Sequence, residues 1–251
     1  MDSCRQLYLD LLKRSLVGTV LEDAPVLSVP IGGFETRRYI PKIREWGRDV
    51  PGQAQSMIGL RRMQNIEDCV ERILADCVLG DLIEAGVWRG GAVIFMRGVL
   101  KAHGVTDRCV WAADSFAGLP EPRIDLYPAD RVWEGWGGRI AVPLEEVRRN
   151  FERYGLLDEQ VRFLPGWFRE SLPSAPIERL ALLRMDGDLY ESTRDALDNL
   201  YPRLSAGGFA IVDDYFVEPC RTAVHDYRRQ HGIDEPIVDI DGMGVYWRRE
   251  R

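Results

Sequence analysis

The feature that most restricts the fold of this chain is a rhythm that sets in near residue 78, where short apolar runs begin to alternate with amphipathic stretches of helical period. Such alternation marks βαβ units wound around a mostly parallel sheet. The runs are DLIEA at 81–85, CVWAA at 109–113, VRFL at 161–164, LALLRM at 180–185 and FAIV at 209–212. Helical segments are expected near 92–103, 143–154, 191–204 and 218–231. Two further runs, PIVDID and GVYWRR, flank the turn formers Gly242, Met243 and Gly244 and read as an antiparallel hairpin at the sheet edge. The expected fold is therefore α/β: a doubly wound, mostly parallel seven-stranded sheet with an antiparallel last strand, spanning 78–251.

Residues 1–77 break the rhythm. A helix near 3–17, an irregular Gly- and Pro-punctuated stretch to about 52 and a helix near 63–77 suggest an N-terminal helical extension or lid. A second irregular stretch, 119–142, carries Pro120, Pro122, Pro128, Trp133 and Trp136 among several glycines. Unstructured stretches of that length inside compact domains are usually functional, so it is expected to form a substrate loop.

Composition narrows the partners. Forty acidic residues against 33 basic ones give a net charge of -7, which disfavours nucleic acid and anionic membranes. No apolar stretch approaches the roughly 18 residues needed to cross a bilayer, and the charged, amphipathic opening does not resemble a signal peptide. The expectation is a soluble, cytoplasmic protein. Five scattered cysteines without a C-x-x-C pair indicate neither a disulfide framework nor a zinc site.

In open α/β sheets ligands bind beyond the carboxyl ends of the strands, so the residues there are read as a set. After the first run come Glu84, Gly86, Trp88, Gly90 and Gly91. Glycines at that place let a ligand approach the backbone, or let a helix pack on a strand. The spacing does not satisfy the dinucleotide fingerprint G-x-G-x-x-G, and a carboxylate at Glu84 suits a cationic ligand better than a pyrophosphate. S-adenosylmethionine (SAM), with an ammonium, a sulfonium and a ribose but no phosphate, fits that pattern. Asp114, after the second run, would accept hydrogen bonds from ribose hydroxyls or cap the turn that begins at Ser115. Gly166, Trp167 and Phe168 could flank an adenine or belong to the core.

The fourth and fifth runs end in Asp186-Gly187-Asp188 and Asp213-Asp214. Four carboxylates at neighbouring strand ends repel one another unless something positive lies between them. All-oxygen donors point to Mg²⁺, with Mn²⁺ or Ca²⁺ as competitors, and away from zinc. The alternative is that Asp188 and Asp214 cap helix N-termini. The three histidines, His103, His225 and His231, are isolated in sequence, and His225 is the one that could approach the acids.

Taken in order, LIEAGVWRGGA, WAADSFAGLP, VRFLPGWF, LLRMDGDLYEST and YPRLSAGGFAIVDDY resemble the macrocin O-methyltransferase family, whose members methylate deoxysugar hydroxyls on macrolides and related natural products. The resemblance runs over roughly residues 55–248. It implies a class I SAM-dependent fold and Mg²⁺-dependent methyl transfer to a sugar hydroxyl of a small glycosylated substrate. It further implies Asp186, Asp213 and Asp214 as metal ligands and Asp188 as general base. By the same resemblance Glu84, Gly86, Trp88, Gly90 and Gly91 would line the methionine end of SAM, Asp114 and Ser115 the ribose, and Gly166 and Trp167 the adenine. The segment beginning at Met57 would cover the cofactor, and the protein would be a homo-oligomer, a dimer or tetramer. Residues 22–50 and 119–142 carry no motif that aligns with the family. Competing readings are a catechol-type, metal-dependent phenolic O-methyltransferase and a non-catalytic SAM-binding partner protein.

Overall fold

The computed structural model describes residues 2–28 and 38–250. The chain opens with α1 (Asp2–Leu16), β1 (Pro25–Ser28), α2 (Pro41–Glu45), β2 (Asp49–Pro51) and α3 (Gly59–Ala75). The βαβ rhythm then follows as β3 (Asp81–Ala85), α4 (Gly91–Ala102), β4 (Val110–Asp114), α5 (Leu144–Arg153), β5 (Val161–Pro165), α6 (Phe168–Ser171), β6 (Leu180–Met185), α7 (Tyr190–Leu200) and β7 (Leu204–Val212). After α8 (Glu218–His231) the hairpin of β8 (Val238–Asp239) and β9 (Val245–Arg248) closes the chain.

The main sheet has seven strands in the order β5-β4-β3-β6-β7-β9-β8. Strands β3 to β7 pair in parallel, and β9 runs antiparallel to both β7 and β8. This is the doubly wound sheet with a reversed final strand that the apolar runs predict. Side chains alternate between the faces with the strand period of two. Leu82, Val110, Ala112, Leu182 and Ile211 point into one apolar core together with Leu9, Leu16, Met63, Ile66 and Phe95. Ile83, Trp111, Leu183, Met185 and Val212 point into the other with Leu197, Val224 and Tyr227. Helices α1 and α3 thus share the core of α4, so the N-terminal extension packs onto the sheet domain rather than standing apart from it.

Three local readings shift. The helix expected over 191–204 ends at Leu200, where the 3-10 turn Tyr201–Arg203 begins, and the strand expected at 209–212 starts already at Leu204. Gly207 and Gly208 lie in an irregularity of the β6–β7 pairing, which conceals the strand's first half from a period-two reading. In the irregular N-terminal stretch, β1 and β2 form a separate antiparallel pair, too short to show a period; residues 29–37 of that stretch lie outside the described residues. Within 119–142 the backbone forms two 3-10 turns, Pro128–Trp133 and Gly137–Ile140.

The chain leaves β3 toward β4 and β5, then returns to place β6 on the other side of β3. The carboxyl ends of β3 and β6 therefore border the crevice where such folds bind ligands. Their closeness is extreme at Gly86, whose φ is +94° and where a Cβ would lie 1.8 Å from the carbonyl oxygen of Asp186. No side chain fits, so Gly86 is set first by contact between two strand ends. Gly86→Ala is expected to cost at least about 2 kcal/mol in urea unfolding, from the left-handed backbone and the collision together. Gly104 also has a positive φ, +68°, but nothing within 4 Å of a Cβ, so Gly104→Ala should cost only about 1 kcal/mol. Equal losses would remove the close approach as the cause.

Candidate active site

A cavity of about 760 Å³ opens at the carboxyl ends of the parallel strands, within the range of small-molecule sites. Its floor is acidic. Glu84 from β3, Asp186 and Asp188 after β6, and Asp213 and Asp214 after β7 all line it. The sheet ladder sets them in place, because the Asp186 N–H donates to the Ala85 carbonyl at 2.8 Å and the Asp213 N–H to the Met185 carbonyl at 2.9 Å.

Two arginines that sequence reasoning passed over hold this floor together. Arg184 is the penultimate residue of β6, fully buried, directly opposite Glu84 in the β3–β6 register. One terminal nitrogen donates to Oε1 of Glu84 and, at 2.8 Å, to Oδ2 of Asp186, while the other donates to Oδ1 of Asp213. Arg62 reaches in from α3, donating to Oδ2 of Asp213 and pairing through Nε with Asp241 of the β8–β9 turn at 3.1 Å. Both oxygens of Asp213 are therefore bound by guanidinium groups. The signal was present in the sequence: an arginine inside LALLRM is a charge within a buried strand and requires acidic partners.

The arginines do not balance the site. Six carboxylates, Glu84, Asp186, Asp188, Asp213, Asp214 and Asp241, face two guanidinium groups, leaving four negative charges uncompensated if all ionise. Burial and the charges of Asp186 and Asp213 push Asp188 up to about 8. Burial and the charge of Asp213 likewise raise Asp186, and burial with its three acidic neighbours holds Asp214 well above the usual carboxylate range. Burial opposes the charge on Arg184, yet Asp213, Glu84 and Asp186 outweigh it and keep the guanidinium protonated. A site poised in this way attracts further positive charge.

Asp186, Asp213 and Asp214 each offer one carboxylate oxygen, and the three atoms lie within 4.8 Å of one another, the only such metal-competent group among the described residues. The donors are all oxygen, which fits a hard divalent cation. Asp188 stands beside them with a left-handed backbone, φ +59°, and its N–H donates to Oδ2 of Asp214 at 3.0 Å. Asp214 thus fixes the turn that presents Asp188. Glu84 Oε2 is buried without a hydrogen-bond partner.

Asp114 caps the turn that follows its strand. Its Oδ2 accepts the Val87 N–H and its Oδ1 the Phe116 N–H, both at 2.7 Å, and the side chain also lines the cavity. Ser115 lines it too while its hydroxyl closes the turn onto the Gly118 carbonyl. Met57, Gly86, Trp88, Gly91 and Trp167 border the same space. Gly90 and Gly166 are not on the cavity wall: Gly90 starts α4 opposite Val147, and the Gly166 N–H donates to the Asp114 carbonyl. At Gly91 a Cβ would strike Ser56 and the Gln55 carbonyl, so this glycine admits the segment that precedes Met57.

The mouth is walled by Trp133 and Trp136, which meet edge to face with centroids 5.7 Å apart, and by Arg139, Glu191 and Phe216. Of the histidines, His225 pairs with the Tyr215 hydroxyl at 2.7 Å and does not line the cavity. No helix among the described residues is long and apolar enough to cross a membrane.

Comparison with known proteins agrees with this geometry. The family model described as Macrocin-O-methyltransferase (TylF) matches residues 5–249. The chain belongs to the macrocin O-methyltransferase family. It is 56% identical over 249 residues, 98% of this chain and 94% of the relative, to 8-demethyl-8-(2,3-dimethoxy-alpha-L-rhamnosyl)-tetracenomycin-C 4'-O-methyltransferase of Streptomyces olivaceus. It is 52% identical over 248 residues, 97% of this chain and 96% of the relative, to mycinamicin III 3''-O-methyltransferase of Micromonospora griseorubida. Among solved structures, the O-methyltransferase NovP superposes with a TM-score of 0.92 at 52% identity, over 98% of this chain and 100% of that one. The protein is thus a SAM-dependent O-methyltransferase of the macrocin family, with the class I fold.

Removing Arg184 should expose how strongly the floor depends on it. Arg184→Met is expected to cost about 3–5 kcal/mol at neutral pH, because it strands buried carboxylates without a partner. Glu84→Gln in the same chain should recover at least about 1 kcal/mol of that loss in a double-mutant cycle read by denaturant unfolding. Strictly additive losses would mean that the two residues are not energetically paired.

Proposed function

We propose that this protein transfers the methyl group of SAM to a hydroxyl of a deoxysugar carried by a natural product, with a divalent magnesium ion held by Asp186, Asp213 and Asp214 and with Asp188 as general base. The observation that carries this reading is the convergence of those three carboxylates, within 4.8 Å, on the floor of a cavity also lined by Asp114, Trp88 and Asp188. Relatives at 52–56% identity are named for methylating the 4'-hydroxyl of a rhamnosyl tetracenomycin and the 3'' position of mycinamicin III, which supports a glycoside as acceptor.

SAM supplies a methyl group on a positively charged sulfonium. A magnesium ion, when bound, supplies charge that lowers the pKa of an acceptor hydroxyl. The chain's own residues do the rest. Arg184 and Arg62 hold Asp213 from both sides, and Asp214 holds the Asp188 turn, so the acids stay fixed while an acceptor enters. Asp188, whose carboxyl burial and its acidic neighbours push up to about 8, accepts the hydroxyl proton in its ionised form; a base poised near the working pH is more effective than an ordinary carboxylate. Glu84 and Asp114 present carboxyl oxygens along the cavity, acceptors that favour the cationic and ribose parts of the donor. Trp133 and Trp136 stand at 81° to each other and do not form the flat slot that a phenolic acceptor would prefer.

The direct test incubates the protein with SAM, Mg²⁺ and a panel of 6-deoxysugar glycosides, with the products read by mass spectrometry. Gain of one methyl mass on a sugar is expected, and its abolition by excess EDTA with recovery on added Mg²⁺. Full turnover in EDTA would remove the metal from the account. Asp188→Asn should retain SAM and metal binding but lose about 10²-fold or more in turnover, the scale of a lost general base. Near-normal turnover would assign proton removal elsewhere.

A further inference from the structure

Helix α7 begins two residues after Asp188, and its start has an unusual support. The residue at its N-cap is Leu189, whose side chain offers no acceptor. Instead the cap comes from 60 residues earlier in the chain. Asp130, in the first 3-10 turn of the 119–142 stretch, accepts the Tyr190 N–H on Oδ1 at 2.6 Å and the Glu191 N–H on Oδ2 at 3.2 Å. Its side chain is completely buried and pairs with no arginine or lysine among the described contacts. What stabilises its charge is the positive end of α7.

Two further contacts fasten the same two elements. Arg123 donates to both carboxylate oxygens of Glu191, with Nε at 2.9 Å from Oε2, and Tyr127 stacks on Tyr190 with centroids 5.4 Å apart. The turn that carries Asp130 also carries Trp133, on the wall of the cavity mouth, while the helix that Asp130 caps carries Glu191 on the same cavity. One buried carboxylate therefore joins the segment that faces an acceptor to the helix whose first turn follows the Asp188 bend.

We propose that Asp130 is a positioning residue for methyl transfer: by capping α7 from the 119–142 segment, it sets the acceptor wall and the Asp188 bend in register with each other. It does not touch the reacting atoms. The assignment rests on the acceptor and base roles proposed above, and it explains why a stretch without long regular structure closes against α7 in one definite place.

The test compares Asp130→Ala and Asp130→Asn in the full chain, below the melting temperature of each. Loss of the cap should lower kcat/KM for the glycoside by about 10- to 100-fold in Asp130→Ala, with acceptor KM rising, because a small displacement at the reacting groups is amplified in rate. The dissociation constant for SAM, measured by calorimetry, should stay within about twofold of wild type. Asn offers one acceptor oxygen where Asp130 uses two, so Asp130→Asn should keep part of the cap and its kinetics should fall between those of Asp130→Ala and wild type. Asp130→Ala should also speed tryptic cleavage at Arg131 and Arg139 and hydrogen exchange at the Tyr190 and Glu191 amides, two readouts that need no acceptor. A wild type that methylates no glycoside would defeat the proposed function, while exchange and cleavage would still decide whether Asp130 joins loop to helix. Wild-type acceptor kinetics in Asp130→Ala, equal losses in Asp130→Ala and Asp130→Asn, a SAM affinity that falls in step with kcat/KM, or unchanged exchange and cleavage would each overturn the proposal.

Discussion

A single buried guanidinium organises the working end of this protein. Arg184 sits inside a strand with no exposure to solvent and contacts acids from three neighbouring strands: Glu84 of β3, Asp186 beyond its own strand end and Asp213 beyond β7. A charge in that position is tolerated only because both of its terminal nitrogens donate to carboxylates, and those carboxylates are tolerated only because of it. The sheet order makes the arrangement possible, since β6 lies between β3 and β7 and pairs with both. Arg62 extends the network outward to α3 and to the β8–β9 turn, so the N-terminal extension and the last hairpin are both tied to the same aspartate.

The consequence is a site held rigid yet short of positive charge. Two arginines face six acids, and Asp186, Asp188 and Asp214 rise above their ordinary pKa. Such an imbalance has little use in a purely structural cluster, where arginine and carboxylate numbers would be expected to match. It suits a pocket that accepts a cationic methyl donor. The strand ends of an open α/β sheet bring these acids together on one side.

Much of the fold was legible because it rests on period and punctuation. The five parallel strands, the closing hairpin and α8 appear near where apolar runs and turn residues put them, although β7 begins at Leu204, since strands buried on both faces read as mostly apolar runs. The paired aspartates after β6 and β7 were legible for a related reason: polar residues that directly follow a buried strand have to emerge at its carboxyl end. What escaped were interactions between distant segments. Arg184 was present in LALLRM but its partners depend on register, and Arg62 and Asp130 act across 151 and 60 residues. The glycines near β3 were read for ligand access, whereas Gly86 and Gly91 are required at least as much by approaching backbone and side chains of the protein itself. Strands β1 and β2, of four and three residues, are too short to leave a period in the sequence.

The central claim is that the carboxylates at the ends of β6 and β7 form a cation site that the two arginines leave unfinished. Anomalous scattering at the manganese edge, from crystals grown with Mn²⁺ and S-adenosylhomocysteine, addresses this most directly. The account predicts one strong peak bounded by Asp186, Asp213 and Asp214, with Arg184 still in contact with Glu84. A map with no peak there, or with manganese only at other surface acids, would contradict it.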